Sequence, residues 1–543
     1  MPIANERTAS LLHAQFRAIQ ASLSRTEAQD SANPVSQVLT GLMKHGGLYT
    51  LLDNEMMSAR LSPVFANMQA SPTATATDAS SFVSSLGNTV GSFFSHLVNG
   101  HSYTIPSSLM SHLVLPGAGT LFSNPAEEQS DPAKFESPDI PAAFTFVGQF
   151  IDHDLTMNAV NLFEPQTGAI QDTASPLIDL DSVYGPRTLL TSPSKDIYNA
   201  DGSFKLADRG GFFDLTRDKM GNAYISDKRN DENQLVMQVH LLIMRLHNKL
   251  IAGGRSFKDA NLETLFNWQS VVLTDYLPRI IDPQTLSFLL AEIAKPDFGA
   301  FKHKPCRDLA TGQLHVSMPH EFAIGFRFGH SQLRFAYRLN PQSGFVQLFN
   351  NALTSSSSHK NVFADLRGSQ ELIADHVIDW PTFLGGSAPL RSNRIDSKVT
   401  SVVFDLPESA IPDDIKYIGN LPHRNLIRSR QIGVCAGEDL ADFYGIPRLA
   451  HDKIEPDHAS HNLYLDHGRF RTPLWYYLLK EAEVEGTSTV SRLGKLGSRL
   501  VGEILIGAIA YAPNNVLSNP AWKSSITGSR SVTLLQLAEW VNS

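Results

Sequence analysis

The sequence predicts a mainly α-helical protein with one large, irregular helical domain and few short strands. Apolar residues recur at helical spacing in several long segments, whereas the strict alternation typical of half-buried strands is scarce. Long loops separate these segments, which favours an irregular helical domain. Hydrophobic residues make up 42% and charged residues 18% of the 543 positions. This composition supports a sizeable core and excludes disorder of the whole chain.

Five segments have the periodicity of amphipathic or buried helices. In the first, Phe144, Val147 and Ile151 follow the spacing of one helix face, and the second continues such a series from Leu235 to Leu250. Pro278 is expected to close the third helix, because proline lacks the backbone N–H and clashes with the preceding turn. The predicted helices cover residues 142–157, 232–251, 262–277, 321–336 and 496–510.

The chain is predicted to divide near residue 141. Residues 1–140 form an N-terminal extension, in which residues 70–95 are rich in Ser, Thr and Ala and poor in charge. This composition is typical of a linker or a surface segment, although its Phe82, Phe93 and Phe94 could dock on the core. Residues 141–543 form the main domain.

Composition and missing motifs exclude several classes of function. Lys and Arg total 45 against 54 Asp and Glu, a net charge of −9, so no global basic field indicates nucleic acid as a partner. Cys306 and Cys435 allow at most one disulfide bond. The sequence contains no Walker A, HExxH, CxxC or GxSxG motif, which removes the main signals for nucleotide, zinc and serine-hydrolase chemistry.

No segment has the sequence pattern of a membrane anchor or a secretory signal. The apolar stretch from Leu500 to Ala510 is interrupted by Glu503 and is too short to span a bilayer. The N-terminus lacks a basic region followed by an apolar run, so we expect no Sec-type signal peptide. These features predict a protein that is cytoplasmic or exported by a leaderless route, without a transmembrane segment.

The most informative local pattern is GQFIDHDL at residues 148–155. On a helix that advances about 100° per residue, Gln149, Asp152 and His153 fall within one arc of about 100°. Asp154 points about 100° away from His153 and must serve another purpose. A solvated surface stripe is the alternative, but the large apolar neighbours indicate a buried helix, in which unpaired polar groups are costly.

Two further patterns place a charged residue three positions from a second polar residue. Arg229 and Glu232 precede the second predicted helix, where a charged helix N-terminus is the better interpretation of this segment alone. Arg327 and His330 lie in an apolar helical segment, where a lone histidine is usually structural. Gly329 leaves room beside this histidine for a flat group to approach the backbone.

The last pattern is SPLIDLD at residues 175–181. The oxygen-bearing side chains of Ser175, Asp179 and Asp181 could surround a hard cation. The twelve-residue EF-hand pattern is missing, and an isolated Asp-x-Asp more often serves turn chemistry.

Taken together and in order, these patterns resemble the animal-type haem peroxidases of the peroxidase–cyclooxygenase superfamily, in the form of a bacterial-type member. Any one motif is weak, whereas six in the right order are specific. The matching segments are GQFIDHDLT (148–156), SPLIDLDSVYG (175–185), KRNDEN with VHLLIMRLHNKL (228–250), TDYLP (274–278), FRFGHS (326–331) and NLIRSR (425–430).

The resemblance implies haem b as cofactor, one calcium ion, and a role for each matched residue. His153, Arg229 and Gln149 would be the distal catalytic residues, and His330 would ligate the haem iron. Asp152 and Glu232 would form ester bonds to the haem, Arg327 would lie against the cofactor, and Asn425 would accept the N–H of the proximal imidazole. Calcium would be held by Asp154, Ser175, the carbonyl of Leu177, Asp179 and Asp181.

The activity implied is reduction of hydrogen peroxide, by way of a ferryl intermediate, with oxidation of halide, thiocyanate or a small organic donor. The superfamily also contains fatty-acid dioxygenases and cyclooxygenases, whose radical-forming tyrosine lies three residues before the proximal histidine. That position is Arg327 here. A non-catalytic haem- or calcium-binding protein is the other alternative, but simple binding requires neither His153 nor Arg229.

Three departures from the family pattern qualify the expectation. The sequence RQIG at residues 430–433 replaces the usual Arg-Asp-His-Gly, and Asn233 stands where myeloperoxidase has a sulfonium-forming methionine. A disulfide framework is absent because only two cysteines occur. These differences favour a bacterial or intracellular relative.

Overall fold

The computed structural model describes residues 94–117, 119–156, 175–185, 197–219, 221–307, 314–350, 364–384, 390–407, 419–455 and 460–543. Helices dominate these ranges, and the strands within them are two to six residues long, each paired in a two-stranded sheet. The predicted mainly α-helical fold is confirmed.

The α-helices lie throughout the described ranges. They are α1 (Ser107–Val114), α2 (Pro125–Ser130), α3 (Ala143–Leu155), α4 (Asp181–Tyr184), α5 (Gln234–Ala252), α6 (Phe257–Val271), α7 (Leu277–Ile280), α8 (Pro283–Ile293), α9 (His320–Gly325), α10 (Trp380–Leu384), α11 (Leu421–Gln431), α12 (Gly437–Tyr444), α13 (His451–Ile454), α14 (Leu474–Glu485), α15 (Lys495–Ala510) and α16 (Leu534–Asn542).

Shorter elements connect the helices. The strands are β1 (Phe94–Ser95), β2 (Glu136–Pro141), β3 (Leu206–Asp208), β4 (Phe213–Leu215), β5 (Cys306–Arg307), β6 (Leu314–His315), β7 (Met318–Pro319), β8 (Ala336–Tyr337), β9 (Val346–Gln347), β10 (Arg391–Asn393), β11 (Leu465–Asp466) and β12 (Arg469–Phe470). The β1–β7 pair is parallel, and the pairs β2–β10, β3–β4, β5–β6, β8–β9 and β11–β12 are antiparallel. The 3₁₀ helices cover Pro132–Lys134, Lys228–Asp231, Pro296–Phe298, Phe326–Gln332, Ala374–His376, Ser401–Val403 and His461–Tyr464.

Helices α3 and α5 pack against each other at the centre of the molecule. Helix α5 begins at Gln234 because the side chain of Asn233 accepts hydrogen bonds from the N–H groups of Leu235 and Val236, which would otherwise lack partners. Phe150 of α3 meets Trp268 of α6 edge to face, with ring centroids 5.1 Å apart. The three helices therefore share one core.

The third predicted helix does not end before Pro278. A π-helical turn, Val272–Tyr276, follows α6, and the chain continues as α7 through the proline to Ile280. The wider π turn changes the hydrogen-bond pattern just before the proline, where a regular helix would be blocked by its ring. The expected stop at 277 was wrong for this reason.

The fourth predicted helix is shorter and of two kinds. Helix α9 ends at Gly325, the chain tightens into the 3₁₀ helix Phe326–Gln332, and Ala336 belongs to β8. Gly325 lies so close to α14 and α15 that an added Cβ would come within 2.8 Å of a methyl group of Leu500. Glycine permits this close approach but is a poor helix former, so a single regular helix over 321–336 does not form.

The other predicted helices are confirmed with small shifts at their ends, as α3, α5 and α15. Residue 157 and the Ser/Thr/Ala-rich stretch up to residue 93, including Phe82 and Phe93, lie outside the described residues. Phe94 is buried and stacks on His320. Residues 94–140 contribute side chains to the common core, and the boundary near 141 stays a prediction.

Within the described ranges, the length and hydropathy of every helix fall short of what crossing a bilayer requires.

Gly437 at the start of α12 offers a test of the packing in the helical core. A Cβ at this position would lie 2.1 Å from Cγ of Tyr477 on α14. We expect Gly437→Ala to lower the free energy of unfolding by about 1–3 kcal/mol, as overpacking does. Gly344→Ala is the control, since no atom lies within 4 Å of its Cβ position. Denaturant unfolding measures both, and equal stability of the two variants would contradict the close packing of α12 on α14.

Candidate functional site

Two sequence patterns separated by about eighty residues meet at the end of α3. The carboxylate of Glu232 accepts a hydrogen bond from the Gln149 amide (3.4 Å) and lies 4.0 Å from Nε2 of His153. Asn233 donates to the other end of the Gln149 amide (3.0 Å). We call these side chains, together with Asn230, the His153 cluster. Of the three residues predicted to share one face of α3, Gln149 and His153 both lie next to Glu232, whereas Asp152 forms no hydrogen bond with this group.

Arg229 lies against the end of the same helix. Its guanidinium donates to the carbonyls of His153 (2.8 Å) and Thr156 (2.6 Å) and forms an ion pair with Asp227 (2.6 Å). Burial lowers the pKa of Arg229, but the charge and hydrogen bonds of Asp227 outweigh burial and raise that pKa above its ordinary value. The guanidinium is therefore charged and held in one position beside His153.

Asn230 and His240 are two polar residues of this region that the sequence patterns did not single out. Oδ1 of Asn230 lies 2.9 Å from Nδ1 of His153, and Nδ2 of Asn230 lies 3.0 Å from Nδ1 of His240. Both Asn230 and His240 are fully buried. Asn230 faces α3 because it lies in the 3₁₀ turn Lys228–Asp231. The helical spacing rules used on the sequence do not describe such a turn.

A second stretch of backbone holds this turn from the opposite side. The N–H groups of Gly368 and Ser369 donate to the carbonyls of Glu232 (3.0 Å) and Asp231 (3.1 Å). A Cβ on Gly368 would lie 1.6 Å from the carbonyl oxygen of Asp231, so this position has no room for any side chain. The side chain of Asp231 also forms a buried, bidentate ion pair with Arg217. The turn is therefore fixed on both sides.

Asp152 precedes His153 on α3. It is half-buried, and its carboxylate accepts from the hydroxyl of Thr156 (3.3 Å). Burial lowers the pKa of Arg327, while the charge of Asp152 acts to raise it, which places this carboxylate within electrostatic reach of the next cluster. The carboxylate of Asp152 is thus partly accessible and near the guanidinium of Arg327.

The His330 cluster consists of Arg327, His330 and Asn425. Nδ2 of the Asn425 amide lies 2.7 Å from Nδ1 of His330, and its Oδ1 accepts from Arg327 (2.7 Å). Trp475 of α14 meets the imidazole edge to face. Burial and the nearby charges of Arg327 and Arg424 lower the pKa of His330 to about 3, so the imidazole is neutral. The expected role of Asn425, acceptance of an imidazole N–H, needs Oδ1 at the position of Nδ2 and stays a prediction.

The third group is a cluster of three carboxylates, Asp154, Asp179 and Asp181, whose oxygens lie within 4.8 Å of one another. Ser175 joins this carboxylate cluster through its hydroxyl (2.9 Å to Asp179) and its N–H (2.8 Å to Asp181). Leu177 is half-buried in the same loop. Burial, followed by the charge of Asp179, raises the pKa of both Asp154 and Asp181. Asp154, which faces away from the His153 cluster, therefore joins α3 to the loop at 175–181.

Comparisons with known proteins identify the family of this chain. The family model for the animal haem peroxidase domain matches residues 166–450. This chain belongs to the animal haem peroxidase family. No curated protein sequence matches the chain.

Two solved structures show the same fold as this animal haem peroxidase. Peroxidase A from Dictyostelium discoideum has a TM-score of 0.56 and 14% identity, with 84% of this chain and 94% of that chain covered. The fatty acid alpha-dioxygenase of Oryza sativa has a TM-score of 0.51 and 12% identity, with 100% and 94% covered. At these identities the likeness establishes the fold alone.

Membership of the family implies a haem cofactor, and the residues of the site fit one. His330 is neutral, and its Nε2 has no hydrogen-bond partner among the described residues. This nitrogen carries the lone pair that a metal ion needs when the proton lies on Nδ1, which requires Oδ1 of Asn425 at the position of Nδ2. Gln149, Asp152, Arg327 and His330 are each partly accessible, although large apolar side chains next to them in the sequence, such as Phe150, Ile151 and Phe328, are buried. An accessible polar surface within an apolar core is what a bound cofactor requires.

The raised pKa values in the carboxylate cluster generate a prediction about stability and pH. A carboxyl group whose pKa is higher in the folded than in the unfolded state stabilises the fold at low pH, and this contribution is lost as pH rises above about 4. In the presence of a chelator we expect Asp179→Asn to raise the free energy of unfolding by about 1–3 kcal/mol at pH 8, because one repelling charge is removed. The gain should shrink towards pH 4.5.

Urea unfolding at the two pH values measures this difference, with Asp452→Asn on the exposed surface of α13 as the control. An Asp179→Asn protein that is less stable than the wild type by the same amount at both pH values would show that mutual repulsion does not strain these carboxylates.

Proposed function

We propose that the protein is a haem peroxidase that reduces hydrogen peroxide and oxidises a small donor, either an anion such as a halide or thiocyanate or a small organic molecule. The observation that carries the proposal is the placement of an imidazole, a guanidinium and an amide at one end of α3, His153, Arg229 and Gln149. Simple binding of haem requires none of these three.

Haem b, when bound, supplies an iron centre that accepts electrons from the donor and passes them to peroxide. In this proposal His330 ligates the iron through Nε2, and Asp152 and Glu232 form the ester links to the cofactor. Arg327 lies beside the cofactor. Asn425 accepts a hydrogen bond from the proximal imidazole once its amide is turned so that Oδ1 meets Nδ1 of His330. The neutral state of His330 supports its assignment, because only a neutral imidazole binds a metal.

The polar residues at the end of α3 would handle the proton and the charge. Nε2 of His153 takes the proton of peroxide and returns it to the leaving oxygen, as general acid–base catalysis requires. Arg229 holds a fixed positive charge against the main chain of His153, and this charge would stabilise the negative charge that develops in the transition state. Gln149 orients Glu232 and a substrate hydroxyl by its amide.

We also assign the carboxylate cluster to one calcium ion, with Asp154, Ser175, the carbonyl of Leu177, Asp179 and Asp181 as ligands. Oxygen-only ligand sets with several carboxylates suit calcium better than transition metals. The ion would relieve the repulsion among buried charges and tie α3 to the loop at 175–181. Added to the chelated protein, calcium should therefore stabilise the wild type and have little effect on Asp179→Asn.

A fatty-acid dioxygenase is the second candidate, because the Oryza sativa enzyme of that class shares the fold over the whole chain. In that class a tyrosine three residues before the proximal histidine carries the radical. The corresponding residue here is Arg327, whose guanidinium is hydrogen-bonded to Asn425 and offers no phenol to oxidise. The absence of a phenol at this position favours the peroxidase.

The deciding experiment uses the haem-reconstituted protein with two sets of substrates. One set is hydrogen peroxide with bromide, thiocyanate or an aromatic donor, and the other is a fatty acid with oxygen. We expect turnover with the first set and none with the second. Turnover of fatty acid alone would support the dioxygenase. Haem binding without any turnover would contradict both enzymatic functions and indicate a haem carrier.

Separate variants of the two histidines should have different effects. His330→Ala removes the proposed iron ligand, so we expect haem occupancy to fall. His153→Gln should retain haem and slow the reaction with peroxide by roughly 10²–10⁴-fold, the usual contribution of an acid–base group. Absorption spectra of purified variants give the occupancy, and stopped-flow mixing with peroxide gives the rate. Equal loss of haem in both variants would contradict the assignment of His330 as the iron ligand and His153 as the acid–base group.

The proposed ester links predict that haem becomes resistant to extraction. After treatment with peroxide, haem should remain on the polypeptide in acidified organic solvent, because covalent bonds survive denaturation. The double variant Asp152→Asn with Glu232→Gln should release it, and each single variant should keep one link. Mass spectrometry of the denatured chain measures the attachment. Free extraction from the treated wild type would exclude the links.

A further inference from the structure

A chain of three side chains runs from the His153 cluster into the core. Its middle residue, Asn230, contacts Nδ1 of His153 with Oδ1 and Nδ1 of His240 with Nδ2, at 2.9 and 3.0 Å. The ring of His240 meets Phe150 edge to face. Asn230 and His240 are both fully buried, and Nε2 of His240 has no hydrogen-bond partner. Two imidazoles are thus joined by one buried amide.

The amide determines where each imidazole carries its proton. An amide oxygen only accepts, so Nδ1 of His153 must donate to it, and neutral His153 keeps its lone pair on Nε2. An amide nitrogen only donates, so Nδ1 of His240 must accept, and the proton of His240 lies on Nε2. Burial lowers the pKa of His240 to about 4, in agreement with a neutral ring.

We propose that Asn230 and His240 are positioning residues that fix the tautomer and ring orientation of His153, so that Nε2 faces the peroxide as a proton acceptor. This inference rests on the proposed function and extends it to two residues outside the matched catalytic set. Nε2 lies on the side of Gln149 and Glu232, 4.0 Å from the Glu232 carboxylate, where a substrate would react.

The alternative arrangement shows why the orientation of one amide matters. If the Asn230 amide were turned by 180°, its Nδ2 would donate to His153, and the proton of His153 would move to Nε2. An imidazole in that tautomer cannot take a proton at Nε2. The 3₁₀ turn that carries Asn230 is held by Arg229 on one side and by Gly368 on the other, which fixes the position of this side chain relative to α3. In the orientation found, its Oδ1 meets His153 and its Nδ2 meets His240.

The first test measures the tautomer in the wild-type protein. Nitrogen NMR of histidine-labelled haem protein, in its diamagnetic ferrous carbon monoxide complex, separates protonated from unprotonated ring nitrogens. Signals are assigned with His153→Gln and His240→Gln. We expect a protonated Nδ1 and an unprotonated Nε2 at His153, and the reverse at His240. The opposite pattern at His153 would overturn the proposal without any variant of Asn230.

The second test uses cyanide binding, which is not turnover. Hydrogen cyanide must give its proton to a base when the anion binds ferric haem, and the base here is Nε2 of His153. Asn230→Leu removes both hydrogen bonds at similar volume. We expect the association rate constant for cyanide to fall by about 10- to 100-fold, a large part of the usual contribution of an acid–base group. Haem content and the absorption spectrum should persist.

Asn267→Leu is the matched control. Asn267 is also fully buried and is hydrogen-bonded at both ends of its amide, to Glu263 and Ser524, in a different part of the core. Its replacement should change stability but leave the cyanide rate within about twofold, since it does not touch an acid–base group. An equal fall in both variants would mean that the effect is general destabilisation.

Variants of His240 add a rescue. His240→Leu frees Nδ2 of Asn230 and should slow cyanide binding, whereas His240→Gln keeps an acceptor and should restore most of the rate. Equal rates in these two variants would contradict a role for His240 and keep this test informative if Asn230→Leu fails to fold. A wild type that binds haem and cyanide but shows no peroxidase turnover would refute the proposed function and leave the positioning result intact.

Discussion

The arrangement of the site depends on one guanidinium that holds the end of a helix. Arg229 neutralises the buried charge of Asp227 and donates to two carbonyls in the last turn of α3. The last carbonyls of a helix lack partners within it, so this contact both satisfies them and joins two distant parts of the sequence. Breaking such a buried pair costs far more than forming it gains. Arg229 thereby links the helix that carries His153 to the turn that carries Asn230.

Burial and neighbouring charges determine which side chains around α3 are charged and which are neutral. The imidazoles of His240 and His330 are kept neutral because the core disfavours a cation there. Arg229 stays charged because its carboxylate partner is adjacent. The carboxylate cluster follows the same rule, since burial and the charge of Asp179 raise the pKa of Asp154 and Asp181 and so favour their neutral forms. The imidazole of His153 and the carboxylate cluster therefore lie on different faces of α3.

The sequence predicted those parts of the fold and site that obey regular helical geometry. Helical spacing alone placed Gln149 and His153 together and turned Asp154 away from them, and the structure agrees. The stop expected at Pro278 was wrong because a π turn precedes it. Asn230 was missed because it lies on a 3₁₀ turn, whose direction is set by tertiary contacts. Roles such as haem ligation came only from the resemblance.

Gly368 illustrates how a site can depend on a residue that takes no part in chemistry. Its N–H holds the carbonyl of Glu232, and the backbone of Asp231 occupies the space where any side chain would begin. A survey of substitutions along the chain would therefore show intolerance at 368 as severe as at a reacting group, although glycine contributes no functional atom. Loss of activity after a substitution at Gly368 would therefore show that a backbone contact is disrupted. It would carry no information about the substrate.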